Sequence, residues 1–563
     1  MRPHLVALVM AASAAPVATT AFAQTVPTAP DTATKDATPP PAPPAGRPLP
    51  PAPPPPPPAP PHAIDLTTLE QLRDRGILSQ GEYELALKDI GASTGERHAA
   101  DATSLVLSKW VTTLYGFLEG DAIYDSTQSF SDLAGNAQVL RPTGNTAPIE
   151  SPISGLPTGT PASPMQATQG YAGSHGQTQF SVRNSRLGLR VRAPGSETVH
   201  ASGMLEMDFL GNQPSGISQT SYFTSPTLRI RHAMFRIETP VVDVMIGQYW
   251  HLFGWQEGYL PNSVEIQGLP GELYARAPQV RVSKRIPMGP SALELALAAV
   301  RPPSLSEVPE LEGGLRFALG SWKGMHTAGA TGTAVIPASI AVTGDMRYFE
   351  VPEAASVLPT SMVNTTSYAG AVDLFLPILP AREDKRDNTL SLMAQAVTGS
   401  GISDLYTGMQ SGVMFPFIQN LTGNESSPAW ASAMDQGLVA YDITPGKFAL
   451  HPIQWTSLLV SLEYYLPGLG GKVWISGNYS HIQSNNTSQF ARLDSDTPNP
   501  NEYFFITDQA QVRKAEDWWD ANVFFDPVHA VRVGLELAAF YDHYVDGFTA
   551  TNYRAQASGF FVF

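Results

Sequence analysis

Arginines and carboxylates are the side chains of this sequence whose placement could do chemistry, since they fall on alternating extended segments. The arginines lie mainly on the second, fourth and sixth predicted strands, and the acids lie mainly on the strands between them. Antiparallel neighbours would therefore set rows of opposite charge side by side. The arginines are Arg183, Arg186, Arg190, Arg229, Arg231, Arg281 and Arg285, and the acids are Glu119, Asp121, Glu206 and Asp208. Such rows either form a salt-bridge lattice that stiffens a wall or leave some arginines unpaired around a passage that favours anions.

One pair of arginines requires an irregularity in its strand. Arg183 and Arg186 differ in parity, so a regular strand would point them to opposite faces. A β-bulge inserts one extra residue and changes the face that follows it. We therefore predict a bulge near Asn184 and Ser185, which would turn both arginines to the inside.

A second set of candidate residues lies on one long connection, residues 251–276. It carries Trp255, Glu257, Glu265 and Glu272 among several glycines. If the connection folds inward, its acids face the arginine wall and create a transverse field across a constriction. The alternative is an outer loop that covers the mouth of the sheet.

The elements that must position these residues are β-strands. Alternating apolar and polar residues predict sixteen strands from Trp110 onward, at 110–125, 178–193, 197–211, 226–238, 241–250, 277–286, 291–301, 311–320, 325–335, 365–378, 388–398, 453–466, 472–483, 516–526, 530–545 and 551–563. Short connections, among them 320–324, alternate with long ones such as 126–177, 251–276, 336–364, 399–452 and 484–515. This pattern predicts an all-β fold, a transmembrane antiparallel up-and-down barrel of about 16 strands with both termini on the short-turn side.

The segment before the barrel divides into three parts. Residues 1–23 read as a signal peptide, with Arg2 before an apolar run and a cleavage site at Ala21-Phe22-Ala23. Residues 24–62 are a proline-rich disordered spacer, and residues 63–92 form a short helical hairpin that we expect to be an oligomerisation element. The barrel takes residues 105–563, so the extension would lie in the periplasm.

Composition and motifs exclude several classes. The absence of cysteine excludes disulfide frameworks and thiolate metal sites, and a net charge of −16 argues against a nucleic-acid partner. We find no phosphate-binding loop, no zinc-protease motif and no nucleophile elbow. The histidines show no metal-site spacing. The sequence therefore predicts no catalytic residues, no cofactor and no metal, and hence a protein that is not an enzyme.

Four stretches carry a resemblance to a known family: TLYGFLEGDAIYD (Thr113–Asp125), FSVRNSRLGLRV (Phe180–Val191), MIGQYWHLFG (Met245–Gly254) and APQVRVSKR (Ala277–Arg285). They resemble the DcaP-like porins of bacterial outer membranes. The resemblance implies a trimeric 16-stranded barrel that passes small carboxylate solutes, and in general porins a loop after about the fifth strand folds inward. The family's long coiled-coil extension is replaced here by the proline-rich spacer and short hairpin, which puts its trimeric stalk in doubt.

The last strand also resembles those of outer-membrane barrels, whose assembly machinery reads a terminal Phe preceded by apolar residues at every second position. Phe561 and Phe563 fit that assembly signal. Together these observations predict an outer-membrane porin for passive diffusion of small hydrophilic anions, with lipid, the barrel-assembly machinery and two further copies of the chain as partners. Three alternatives stay open: a phosphate-selective porin, an outer-membrane enzyme, and an adhesive or structural barrel whose lumen is plugged.

Overall fold

The protein folds as a closed antiparallel β-barrel. The computed structural model describes residues 104–107, 110–134, 139–142, 172–196, 198–211, 227–303, 306–352, 361–382, 385–407, 437–442, 449–492, 507–508 and 512–563. The predicted signal peptide, spacer and helical hairpin lie outside these residues. Within the described residues, sixteen strands form the wall, as the alternating pattern predicts.

The strands are numbered β1 to β16 along the chain. They are β1 (Trp110–Asp125), β2 (Gln177–Ser181 and Arg186–Arg192), β3 (His200–Asp208), β4 (Arg229–Glu238), β5 (Asp243–Trp250), β6 (Arg276–Met288), β7 (Ser291–Val300), β8 (Glu310–Ala328), β9 (Gly332–Pro352), β10 (Met362–Leu379), β11 (Leu390–Ser400), β12 (Gln454–Tyr465), β13 (Val473–Ser484), β14 (Arg513–Val528), β15 (Val531–Tyr544) and β16 (Thr549–Val562).

Smaller elements lie at the ends and in the connections. Strand Ser104–Leu107 pairs with the first residues of β1. Two further pairs join Val439–Asp442 to Ala449–Pro452 and Ala491–Arg492 to Thr507–Asp508, and short 3₁₀ turns span Phe253–Trp255, Ser403–Leu405 and Thr487–Phe490. No helix among the described residues is long and apolar enough to span a membrane.

The barrel closes where its last strand meets its first. Each strand pairs with its neighbours in the sequence, and β16 pairs with β1 from Phe117 opposite Val562 to Asp125 opposite Arg554. Beyond β16, the backbone of Phe563 exchanges two hydrogen bonds with Gly116. Closure leaves no sheet edge along this seam, and a barrel is one of the two architectures that satisfy all backbone hydrogen bonds within a membrane.

The polarity of the wall is the reverse of that of a soluble barrel. On β15, Leu535 and Leu537 are exposed whereas Glu536 between them is buried. On β16, Tyr553 is exposed outside and Arg554 is buried inside. The outside is therefore apolar and the inside polar, as the alternation of the last strand predicts.

Strand β2 contains the irregularity that the two arginines require. Asp121 of β1 is opposite Ser181, and Phe117 is opposite Arg186. Five residue steps on β2 therefore face four on β1, which is the geometry of a bulge. Arg183 forms an ion pair with Asp132 and Arg186 one with Glu206, so both side chains meet partners within the charged interior.

The predicted hairpin around residues 320–324 is wrong. The sequence suggested strands 311–320 and 325–335, a turn between them and a loop over 336–364. The chain instead continues as β8 to Ala328, turns at Gly329-Ala330-Thr331, and returns as β9 to Pro352. Residues 320–322 form an irregularity in the β8–β9 ladder, since Leu319 pairs with Ala338 and the next pair is Lys323 with Pro337.

Beyond that irregularity, β8 and β9 leave the wall and fold into the barrel as the inward hairpin (residues 323–337). Met325 and Ala330 are buried in a cluster with Phe117 of β1, Trp474 of β13 and Phe524 of β14. The turn is made by Gly329, whose positive φ of 56° suits glycine. These contacts carry the hairpin into the lumen at the short-turn end.

Candidate functional site

The connection after β5, here called the inward loop (residues 251–275), lies within the barrel. Its first residues bond to the wall beside them: the Leu252 backbone N–H donates to Glu312 of β8, and the Gly254 N–H donates to Thr343 of β9. Gly254 adopts a positive φ of 74°, and a Cβ there would lie 2.4 Å from Leu273. The loop therefore turns inward at a position that only glycine fits without strain.

The tip of the inward loop reaches the opposite side of the barrel. The Asn262 side chain donates to Glu463 of β12, and the Val264 N–H donates to Asn522 of β14. Glu265 accepts from Arg554 of β16 at 3.0 Å. The tip also meets the inward hairpin, because the Gly329 N–H donates to the Pro261 carbonyl at 3.0 Å.

A cavity of about 210 Å³ remains between the inward loop, the inward hairpin and strands β2 to β5. The wall contributes Arg186, Arg190, Met204, Glu206, Arg231, His232, Tyr249 and Trp250. The inward loop contributes Glu257, Leu260, Pro261, Ser263, Glu265, Ile266, Gly268, Leu269, Glu272 and Tyr274, and the hairpin contributes residues 328–332. Arginines on one side thus face acids of the loop on the other.

Most of the predicted arginines take part in a salt-bridge lattice. Arg231 is fully buried and contacts Glu206 at 2.8 Å and Asp208 at 3.2 Å. Arg229 donates hydrogen bonds to both carboxylate oxygens of Asp208, at 3.0 and 2.6 Å. Both arginines also donate to the side-chain oxygen of Gln267, which ties the inward loop to the wall. For these two residues the geometry matches the first of the two alternatives, a salt-bridge lattice that stiffens the wall.

Arg190 differs from the arginines around it. It is exposed within the cavity lining, and its guanidinium carbon lies 4.4 Å from the centre of the Tyr115 ring. Among the described residues, no carboxylate lies within ion-pair distance of Arg190. Arg186 is intermediate, with its Nε 3.6 Å from Glu206. Arg190 is therefore a cation that the fold leaves available to a solute.

Several predicted site residues lie elsewhere in the barrel. Glu119 and Asp121 are buried, and Asp121 accepts a hydrogen bond from Ser558 of β16. Arg281 is buried and donates to the Trp250 carbonyl at 2.5 Å, while Arg285 is exposed, 3.7 Å from Glu294. Arg183, Arg229, Arg281, Arg285, Glu119, Asp121 and Asp208 do not line the cavity.

Of the four loop residues that the sequence predicts for the constriction, three line the cavity and one does not. Trp255 is buried in an apolar cluster, with a positive φ of 40°, and it packs beside Gly314 of β8. Glu257, Glu265 and Glu272 line the cavity. The loop lies outside the membrane-spanning strands, and burial raises the pKa of Glu265 and of Glu272 to about 8. Glu272 is then mainly neutral near pH 7, and Arg554, 3.0 Å away, compensates the charge of Glu265, so the net negative charge on this side is smaller than the sequence suggests.

Sequence reasoning missed two features of the interior. The turn of the inward hairpin lines the cavity, and nothing local in the sequence reveals that, because its partners are distant along the chain. Arg532 of β15, for example, donates to the Ala330 carbonyl. Folding also brings His251 together with Glu310 and Glu312, a donor set that could hold a metal ion.

Comparisons with known proteins bear on the fold. No family model matches the sequence, and no curated protein matches it. The chain is similar to the outer membrane channel DcaP of Acinetobacter baumannii, with a TM-score of 0.52 and 16% identity over 81% of this chain and 97% of that one. This likeness shows a shared fold.

Two weaker likenesses are to porins. The anion-selective porin from Comamonas acidovorans has a TM-score of 0.40 and 9% identity, over 81% of this chain and 100% of that one. OmpF of Salmonella typhi in complex with daunomycin has a TM-score of 0.41 and 9% identity, over 82% of this chain and 100% of that one. Scores this low support no inference about this protein.

Proposed function

We propose that the protein is an outer-membrane porin, a water-filled channel for passive diffusion of small hydrophilic solutes that prefers anions such as carboxylates. One observation carries the proposal: a closed barrel with an apolar outside keeps a charged cavity inside it, and Arg190 on its wall has no ion pair with any residue that the structure describes. The fold shared with DcaP, which is named an outer membrane channel, supports the same function.

The charges around the cavity support a preference for anions. Arg186, Arg190 and Arg231 lie on its wall, and Glu206 is the only carboxylate among the described wall residues that line it. Of the three loop carboxyls, Glu272 is mainly neutral near pH 7 because burial raises its pKa to about 8, and Glu265 is paired with Arg554. Because Arg231 is already paired with Glu206 and Asp208, Arg186 and Arg190 are the guanidinium groups that face the charge of Glu257. Charged groups that line a narrow passage select for ions of opposite sign.

In this proposal the inward loop and the inward hairpin set the width of the channel. The loop residues Trp255, Glu257, Glu265 and Glu272 form the constriction, with Trp255 as its packed support. The passage runs beside β2 to β5, because inward residues of β12 such as Ser457 and Glu463 are covered. The arginine side is the only part of the described wall on which this cavity opens.

The same proposal includes location and assembly. The exposed apolar face of the strands suits an outer membrane, and we expect a periplasmic N-terminal extension because β1 begins and β16 ends at the short-turn end of the barrel. Phe561 and Phe563 would serve as the signal for the barrel-assembly machinery. We expect a homotrimer, in keeping with the family that the sequence resembles.

A second candidate, a structural barrel with a closed lumen, is favoured by one observation. The inward hairpin and the loop tip form a buried cluster with Phe117, Trp474 and Phe524 across the short-turn end. Val264 and Ile266 of the loop belong to this cluster. If it seals the barrel completely, the long connections become the functional surface.

Liposome swelling separates the two candidates. Liposomes that contain the purified full chain should swell in isosmotic solutions of a small carboxylate salt and of a small neutral sugar, faster than liposomes without protein. The carboxylate should enter faster than a cation of the same size. Absence of swelling with every solute would contradict the porin and support the closed barrel.

A further inference from the structure

An unassigned group of side chains lies at the root of the inward loop, where three elements meet. His251 is the first residue of the loop, and Glu310 and Glu312 lie two residues apart on β8. The His251 Nδ1 atom is 2.6 Å from Glu312 Oε1 and 3.6 Å from Glu310 Oε1. One ligand atom from each of the three residues lies within 4.8 Å of the others. An ion with bond lengths near 2 Å fits such a set.

A fourth candidate ligand comes from the neighbouring strand. Asp345 of β9 is the register partner of Glu312, so the two carboxylates project from directly opposed positions. Directly opposed side chains have Cβ atoms about 5 Å apart, and like charges in such a pair are destabilising. A cation held between them would convert that repulsion into attraction.

All four groups are shielded from water. The exposed fraction is 5% for His251, 1% for Glu310, 2% for Glu312 and 5% for Asp345. A buried carboxylate needs a compensating charge and hydrogen bonds, or it is very costly. The question is therefore whether the cations near this group balance its buried carboxylates.

The neighbouring guanidinium groups do not balance these carboxylates. Arg347 serves three acids at once, since it contacts Glu310 at 3.0 Å, Asp345 at 3.0 Å and Asp404. Arg281 is the next guanidinium along the wall, but its hydrogen bonds go to Gln279 and to the Trp250 carbonyl. The His251 imidazole, hydrogen-bonded to Glu312 at 2.6 Å, adds one cation when it is protonated. Arg281, Arg347 and His251 then stand against the four carboxylates of Glu310, Glu312, Asp345 and Asp404, so the cluster keeps an excess of one carboxylate.

Asp345 supplies an independent indication of a missing partner. Although Arg347 lies within ion-pair distance on the same strand, neither carboxylate oxygen of Asp345 takes part in a hydrogen bond. Its pairing with Glu312 in the β8–β9 ladder directs this side chain toward the cluster. A buried carboxylate oxygen without a hydrogen bond needs an explanation, and a bound ion is one of them.

We propose that His251, Glu310, Glu312 and Asp345 bind a divalent transition-metal ion of the zinc class. One imidazole nitrogen with three carboxylates matches the ligand types and the coordination number of four that zinc adopts. Calcium and magnesium prefer sites made of oxygen alone, and calcium takes six to eight ligands. The mixed set therefore favours zinc over either of them.

The position of the site indicates what the metal does. It joins the first residue of the inward loop to two wall strands, beside the hydrogen bond from the Leu252 N–H to the other oxygen of Glu312 at 2.7 Å. A metal here would fix the angle at which the loop enters the barrel. The site is independent of whether the lumen conducts, so it can be tested without a transport assay.

Metal analysis of the full chain, extracted from native membranes without chelator, is the first test. We expect about one zinc per chain, with X-ray absorption giving Zn–N/O distances of about 2.0–2.1 Å and an imidazole shell. Protein stripped with chelator should bind added Zn²⁺ more tightly than Mn²⁺ or Ca²⁺ in calorimetry.

Two variants assign the metal to this site. Glu312→Gln and Asp345→Asn should each weaken zinc binding by more than about 100-fold. Loss of a group that only hydrogen-bonds to a metal ligand typically costs roughly 10–100-fold in affinity. Glu294→Gln is the matched control, because it changes a wall carboxylate that pairs with Arg316 instead. The gel shift of the unheated barrel reports folding, and the second variant serves if the first fails to fold.

The contrary results are equally clear. Metal-free protein whose stripped form binds no zinc would overturn the site. Zinc affinity that is the same in Glu312→Gln, Asp345→Asn and the control would place the metal elsewhere and overturn it as well. Tighter binding of calcium than of zinc would refute the assigned metal class.

Discussion

Replacing Arg190 by alanine should reduce anion selectivity without harming the fold. Arg190 has no ion pair among the described residues, so its removal leaves no buried carboxylate uncompensated. Arg231 would not serve, because Glu206 and Asp208 depend on it. Arg190 is thus the position at which charge can be changed with the least structural consequence.

The size of the effect follows from the dimensions of the cavity. A sphere of about 210 Å³ has a radius of about 4 Å, so a central ion lies roughly 6 Å from a wall charge. One unit charge at that distance in water is worth about 0.7 kcal/mol, and screening at about 0.1 M salt reduces this to about 0.4 kcal/mol. Anion and cation shift in opposite directions, so the permeability ratio should fall by about 3- to 4-fold.

The assay is the reversal potential of single channels under a salt gradient. Arg190→Ala should lower the anion-to-cation permeability ratio by about 3- to 4-fold, and Arg190→Glu should lower it by roughly 9- to 16-fold because the charge change doubles. Lys472→Ala, which removes a positive charge from an exposed short turn, is the control and should have a smaller effect. A reversal potential that is unchanged in Arg190→Glu would refute the idea that solutes pass this residue.

Three further predictions test other parts of the structure. Arg231→Ala leaves Glu206 and a second carboxylate poorly paired inside the barrel, so urea unfolding should show a loss of about 3 kcal/mol, partly restored by adding Glu206→Gln. Replacing residues 325–335 by a two-residue turn removes the buried end of the inward hairpin, so single-channel conductance should rise by about twofold or more; an unchanged conductance would mean that the hairpin does not limit the passage. Raising the pH from about 6 to about 9 ionises Glu272, whose pKa burial raises to about 8, so anion preference should fall, and Glu272→Gln should reduce that pH dependence of the reversal potential.

The wall of the barrel was predictable because it repeats a local pattern. Apolar and polar residues alternate along each strand, and the number of strands and the closing role of the last segment follow from that alternation. Even the bulge before Arg186 could be predicted, since two arginines of opposite parity needed the same face. Each of these features depends on residues that are close in sequence.

The interior was less predictable because it depends on contacts between distant residues. Gly320 and Gly324 look like a turn, yet the strand continues past them, and the hairpin is held by Arg532 some 202 positions away. Similarly, Glu119 and Asp121 have the right parity for the lumen, but the residues packed over them bury both. Parity predicts the face of a side chain and says nothing about what covers it.

The metal candidate illustrates the same limit. The histidines have no metal-site spacing in the sequence, because the proposed ligands come from the inward loop, from β8 and, by register, from β9. Only the register that sets Glu312 opposite Asp345 brings the carboxylates together. Charge alternation between strands left open which arginines pair. It could not predict that Arg231 pairs with Glu206 and Asp208, whereas Arg190 has no ion pair among the described residues.

Single-channel recording of the full chain, refolded into a planar bilayer, is the direct test of whether the protein is a channel that prefers anions. We predict stable conductance steps in groups of three, with a reversal potential under a salt gradient that indicates preference for anions. A barrel that inserts and stays closed would show that the protein is not a porin. A barrel that conducts cations in preference to anions would contradict the proposed anion preference.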